Sequence, residues 1–200
     1  MKFRAAGTRS KQTGVAMVEL IITMTIAGIL LSLGVSSYKY VTKSNRSSSE
    51  INALLGDMQF ARYEAVKEGL NVTICTAASA SATTCDTSTT WSEGWIVLSN
   101  ALSGTGGTAN VLRRQLPFAS FSTTNASKND TLTSGVASVV FNREGFASGL
   151  GGVITFTLHD YASTASYTRC LMLGVSGVMQ TGLASATYSP ARTILGATCS

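Results

Sequence analysis

The stretch "KQTGVAMVELIITMTIAGILLSLGV", residues 11–35, decides how this chain is built. Residues 15–35 carry one charge, Glu19, among apolar and small side chains. As a helix rising about 1.5 Å per residue, the run is about 31 Å long, enough for the hydrocarbon core of a bilayer. A carboxylate in hydrocarbon is costly, and residues of that kind usually mark function. Glu19, five positions after Gly14, therefore needs a reason.

Upstream, "MKFRAAGTRSKQTG" (1–14) is basic and polar and holds no acidic residue. Basic residues ahead of an apolar run predict a cytoplasmic N-terminus. Lys39, Lys43 and Arg46 on the far side weaken that bias, so orientation rests on the leader. An ordinary secretory signal is cut at small residues after its apolar core. Here "LSLGVSSYKYV" (31–41) runs straight on, so the expected cut lies before the core and leaves the apolar helix in the mature chain.

Downstream, the helical pattern continues. Ile51, Leu54, Leu55, Met58, Ala61, Arg62 and Ala65 follow the i, i+3, i+4, i+7 spacing of one stripe, with Arg62 its one polar member. Gly69 ends the pattern as a C-terminal cap, with Lys67 in the last turn. One helix over residues 15–68 would be about 80 Å long. Its first half has lipid or other subunits to pack on; its second half has a face for a domain core.

Everything after Gly69 reads as β-structure. "NVTICTA", "GWIVLSN", "VASVVFN", "GVITFTLHD" and "YTRCLMLGV" are short β-branched or aromatic runs. Between them, "TAASASATTCDTSTT", "NALSGTGGTAN" and "STTNASKNDTLTSG" read as surface loops. Pro117 in "RRQLPFASF" predicts an edge strand or a loop. No repeat recurs at a fixed period. The expected fold is α+β: a long N-terminal helix whose distal half packs on an antiparallel β-sheet domain, residues 69–200.

The 200-residue chain is 44% hydrophobic and 12% charged, which suits an exported β-rich protein. Its net charge is +5, but the excess is local. Without residues 1–14 there are 11 basic against 10 acidic side chains; from Glu50 onward, 8 against 9. Bulk charge gives no support for a DNA-binding surface.

Of the four cysteines, Cys75, Cys85, Cys170 and Cys199, none forms a CxxC pair, and His159 is the one histidine. A metal site is not expected. An even count beside an export-type segment favours two disulfides. Three connectivities are open. Cys75–Cys85 with Cys170–Cys199 is favoured, because each closes a modest loop and the second pins the C-terminus.

"G-VAMVE" (14–19) resembles the class III leader of type IV pilins and type II secretion pseudopilins. The resemblance implies that a membrane-embedded prepilin peptidase cuts between Gly14 and Val15 and methylates the new amine of Val15. Phe or Met is more usual than valine at that place. Glu19 becomes the fifth mature residue, and the implied partner of its carboxylate is the α-amine of a neighbouring subunit. A buried charge is tolerated only when paired, so this one rewards the right register and penalises wrong ones.

"ARYEAVKEGLNVTIC" (61–75) and "WSEGWIVLSN" (91–100) resemble the GspH/FimT/FimU branch of that family, and "VVFNREGFAS", "ITFTL" and "RCLMLGVSGVMQTG" fit its later strands. The branch implies a non-enzymatic subunit without cofactor. Its expected partners are other pilins or pseudopilins, the prepilin peptidase and, before assembly, the bacterial inner membrane. The globular part would be periplasmic on a single-pass anchor, then part of the fibre's initiating or tip complex. A GspH-type pseudopilin of type II secretion is the alternative. DNA-uptake members carry a "GRxR"-like motif where this chain reads "SGVMQTG" (176–182). Val178 and Gln180 stand in place of arginines, so the phosphate contacts that dominate DNA affinity are missing and nucleic acid is not an expected partner.

Other tempting residues have plain readings. His159 beside Asp160 lacks a G-x-S-x-G elbow and reads as a strand-end histidine. Arg113 and Arg114 read as an exposed pair on a strand. "SGTGGT" (103–108) lacks the lysine of a phosphate loop and reads as a hairpin tip. Trp91 and Trp95 are expected between sheet and helix.

Overall fold

A computed structural model describes residues 17–79, 81–99, 110–118, 131–160, 162 and 166–183, apart from the side chains of residues 33–37 and 131. The leader with Gly14 and Val15, the tip at 103–108 and Cys199 lie outside the described residues. The chain divides into two compact units, Met1–Thr42 and Lys43–Ser200. Helix α1, Met17–Glu68, contributes to both.

In the first unit, apolar side chains are exposed on every face of the helix, among them Leu20, Ile21, Ile22, Ile26, Ile29 and Leu30. The interspersed hydroxyls turn back on the helix itself. Thr23, Thr25 and Ser32 donate to the carbonyls of Leu20, Ile22 and Ile29 at 2.9, 2.8 and 2.7 Å. Among the described residues no helix is long and apolar enough to cross a membrane. The part of the apolar run with described side chains, residues 17–32, is shorter than the ~20 residues a span needs.

In the second unit, α1 buries one stripe: Ser47, Ile51, Leu54, Met58, Ala61 and Ala65. The spacing alternates between three and four, so these residues share one side of a 3.6-residue helix. Glu68 is the last helical residue, and Gly69 follows in the left-handed region at φ 68°, where a residue with a Cβ is disfavoured.

Among the described residues nine strands follow: β1 Val72–Thr76, β2 Trp95–Ser99, β3 Asn110–Gln115, β4 Thr131–Thr133, β5 Ser138–Phe141, β6 Ala147–Ser148, β7 Ile154–His159, β8 Arg169–Leu173 and β9 Met179–Leu183. They form two antiparallel sheets rather than one, with orders β3-β2-β1-β5-β6 and β4-β7-β8-β9. Both sheets share a single core with the helix. Val72, Ile74, Trp95, Val97 and Phe141 from the first sheet and Leu132, Phe156, Leu158, Leu171 and Leu173 from the second belong to one buried cluster with the α1 stripe.

The structure departs from the sequence expectations in one loop. "STTNASKNDTLTSG" was expected to be all loop, yet Thr131–Thr133 pairs with Thr157, Leu158 and His159 as an edge strand, and Leu132 is fully buried. One apolar side chain entering the core outweighs the polar composition around it. Pro117 lies just beyond β3, an edge strand that ends at Gln115.

Trp91 and Trp95 are both fully buried in the shared core. The ring of Trp91 meets Phe156 edge-on at 5.1 Å, and that of Trp95 meets Phe118 in the same way at 5.8 Å. Each indole N–H is satisfied: Trp91 donates to the Ser134 hydroxyl and the Val136 carbonyl, Trp95 to Asp57.

Candidate functional site

Glu19 lies in the first turn of α1, exposed, at the start of the apolar part of the helix. The scissile pair Gly14 and Val15 lies outside the described residues.

At the other end of α1, Arg62 accounts for the polar break in the apolar stripe. Its Nε donates to the Gly145 carbonyl at 3.0 Å, one terminal nitrogen to Gly177 at 3.0 Å and the other to Ser176 at 3.3 Å. These carbonyls belong to two turns of the same design. Gly145 N–H bonds Asn142 O and Gly177 N–H bonds Gly174 O, at 2.9 and 2.8 Å. Each glycine has positive φ, 81° and 75°, as a tight turn ending in a left-handed residue requires. Ala147 N–H to Val175 O, 2.9 Å, ties one turn to the other. One guanidinium thus holds a turn from each sheet against the helix.

The second of these turns runs into "SGVMQTG" (176–182), the segment whose sequence lacks a basic motif. Val178 is 42% exposed and Gln180 is exposed on β9, and neither side chain carries a charge. Arg113, Arg114 and Arg169 lie on other strands. Arg113 is exposed on β3, as expected from the sequence; its guanidinium donates to Asp57 at 2.9 Å and lies 4.0 Å over the Phe60 ring. Arg114 is partly buried. Arg169, nearly buried on β8, donates to the hydroxyls of Ser44 and Ser48 at 2.9 and 3.3 Å.

His159, at the end of β7, lies 3.3 Å from the Thr168 hydroxyl through Nδ1. Its neighbour Asp160 faces Lys43 at 3.7 Å. No group of three or more metal-binding side chains gathers among the described residues. Cys75 and Cys85 form a disulfide, and Cys170 is disulfide-bonded as well. Cys75 is buried beside Ile96 and Leu98 in a small cluster of its own.

Two exposed charges are shifted from their ordinary values. Hydrogen bonding to Glu68, then to Glu64, raises the Lys67 ammonium. The Arg143 guanidinium, bonded at 2.8 Å, lowers the Glu144 carboxyl in the turn that Arg62 holds.

The sequence alone did not single out Asp57 or Arg169. The available signal was a lone charge beside an apolar stripe, or within a strand of otherwise apolar residues. Their partners are remote in sequence, Asp57 being 38 residues from Trp95.

The fold resembles crystal structures of the type IV minor pilin FimU from Pseudomonas aeruginosa strain PAO1. One, in space group P21, aligns with a TM-score of 0.51 at 19% identity, over 74% of this chain and 94% of that one. Another, in P65, gives 0.48 at 19% identity, over 72% and 95%. The first likeness shows an α+β pilin fold. No curated protein sequence matches the chain. The sequence pattern of the family described as type II transport protein GspH matches residues 50–177, from the α1 stripe to the second clamped turn. That is well over half the chain, which therefore belongs to the GspH family.

Proposed function

We propose that the protein is a minor pilin, anchored in the bacterial inner membrane by residues 15–35 and then built into the initiating or tip complex of a type IV pilus. The observation that carries this reading is the first unit's helix. Its apolar side chains are exposed on every face, while its hydroxyls are satisfied by its own backbone. A helix apolar all round belongs in lipid or in a bundle of other helices.

In this reading prepilin peptidase cuts between Gly14 and Val15 and methylates Val15. The freed ammonium group then meets Glu19 of an adjacent subunit within the fibre. Losing either partner strands the other charge in an apolar bundle, a loss of several kcal/mol. The same reading pairs Cys170 with Cys199, pinning the end of the periplasmic domain. The role is mechanical rather than catalytic.

The test is Glu19→Ala in cells that make the fibre. Processing and membrane insertion should persist, while the variant disappears from sheared fibres. Normal incorporation would overturn the mechanism. The family's description as a type II transport protein favours a second reading, a pseudopilin of type II secretion. Deleting the gene separates the two: loss of surface fibres supports the pilus, and loss of exoprotein secretion supports the pseudopilus. The uncharged side chains of Val178 and Gln180 argue against DNA binding, and a gel shift at two salt concentrations checks that.

A further inference from the structure

Two serines beyond the apolar run stand Tyr38, Lys39, Tyr40 and Val41. Tyr38 is 73% exposed, Tyr40 51% and Val41 49%. Residues two apart on an α-helix are rotated by about 200°, so the two tyrosines leave the helix on opposite sides. A single protein face reaches one of them; a medium that surrounds the helix reaches both.

The charges nearby fit the same medium. No aspartate or glutamate occurs between Glu19 and Glu50. Of the three cations that follow the apolar run, Lys43 pairs with Asp160 and Arg46 with Glu50. Lys39 is exposed and makes no ion pair among the described residues. The Thr42 hydroxyl returns to the Tyr38 carbonyl at 2.9 Å, so it needs no water at this level. Tyrosines with an apolar ring and polar tip, beside an uncompensated ammonium on an apolar stem, suit the boundary between hydrocarbon and phosphate.

We infer that residues 38–41 form a collar seated in the outer phospholipid headgroup layer before assembly, with Lys39 on lipid phosphate. The inference rests on the membrane anchoring proposed above and goes beyond it, because a collar sets depth. Glu19 lies twenty residues before Lys39, about 30 Å along a helix, which equals the thickness of the hydrocarbon core. With the collar in the outer headgroups, Glu19 rests at the inner boundary, still hydrated. Its carboxylate leaves water only when the subunit enters the fibre.

The test uses the full chain in phosphatidylglycerol vesicles, with its native disulfides oxidised. A nitroxide is attached in turn to Leu30→Cys, Val41→Cys or Glu68→Cys, and its depth is read from accessibility to oxygen and to a nickel chelate. Residue 30 should report hydrocarbon, residue 68 water and residue 41 the boundary between them. Adding Tyr38→Ala with Tyr40→Ala, or Lys39→Glu, should make residue 41 as open to nickel as residue 68. If residue 41 is already that open while residue 30 is in hydrocarbon, the collar is wrong and the anchor stands. Shielding of residue 41 from both reagents would mean a protein contact and would also overturn the collar, as would a depth unchanged in the variants. Residue 30 in water would remove the anchor itself and the collar with it.

Discussion

Arg62 of α1 and Gly145, 83 residues later, are joined by a 3.0 Å hydrogen bond from guanidinium Nε to a turn carbonyl. The same side chain reaches Ser176 and Gly177, so one residue of the helix registers both sheets. Arg62→Ala should lower stability by about 2–3 kcal/mol, the scale of hydrogen bonds from a charged donor. Arg62→Lys should recover less than half, because one ammonium cannot span three carbonyls held by a planar fork. Urea unfolding checks both. Gly177→Ala tests the turn itself: a left-handed alanine costs about 1–2 kcal/mol, and its Cβ would also meet the Gly145 carbonyl oxygen.

Asp57 accepts from the buried Trp95 indole and from the half-exposed Arg113. Asp57→Ala should cost about 1–3 kcal/mol, because a buried N–H loses its acceptor. Arg113→Ala should cost about 1 kcal/mol or less, since exposed ion pairs contribute little. Near-ultraviolet circular dichroism should change for Asp57→Ala and stay close to wild type for Arg113→Ala.

The Cys75–Cys85 bridge closes a short loop over the outer face of the first sheet. Replacing both with serine should cost about 2–3 kcal/mol, largely through the freed unfolded chain. Non-reducing peptide mapping should show Cys75 linked to Cys85 and Cys170 linked to Cys199. A Cys170 joined to any other partner would refute the proposed second pairing.

Two shifted groups set opposite pH limits. The lowered Glu144 carboxyl adds stability above its ordinary value of 4.5, and loses it as pH falls through its lower folded value. The raised Lys67 ammonium adds stability below its ordinary 10.5, and loses it as pH rises through its higher folded value. Between those limits neither group contributes a pH dependence. Carboxyl NMR should place the Glu144 midpoint below 4.5, and Arg143→Ala should return it toward 4.5.

Much of this architecture was legible before any coordinates. The Ile51, Leu54, Met58 and Ala65 spacing revealed which face of α1 is buried, and Gly69 marked where it stops. Strands β1, β2, β7 and β8 announced themselves through β-branched and aromatic runs. Strand β4 did not, because three residues in a polar stretch carry no period to detect. Arg62 stood out as a polar residue in an apolar stripe, but its role did not.

The sequence by itself determined what depends on near neighbours: helix period, apolar length, and a single acid near the start of an apolar run. These features follow from backbone geometry and local side-chain chemistry. Only the tertiary structure decided that the strands divide between two sheets, that Asp57 satisfies Trp95, and that Arg62 holds Gly145 and Gly177 together. Those choices join residues tens of positions apart. They are settled when the chain as a whole buries its apolar surface and must still find a partner for each polar group it takes out of water.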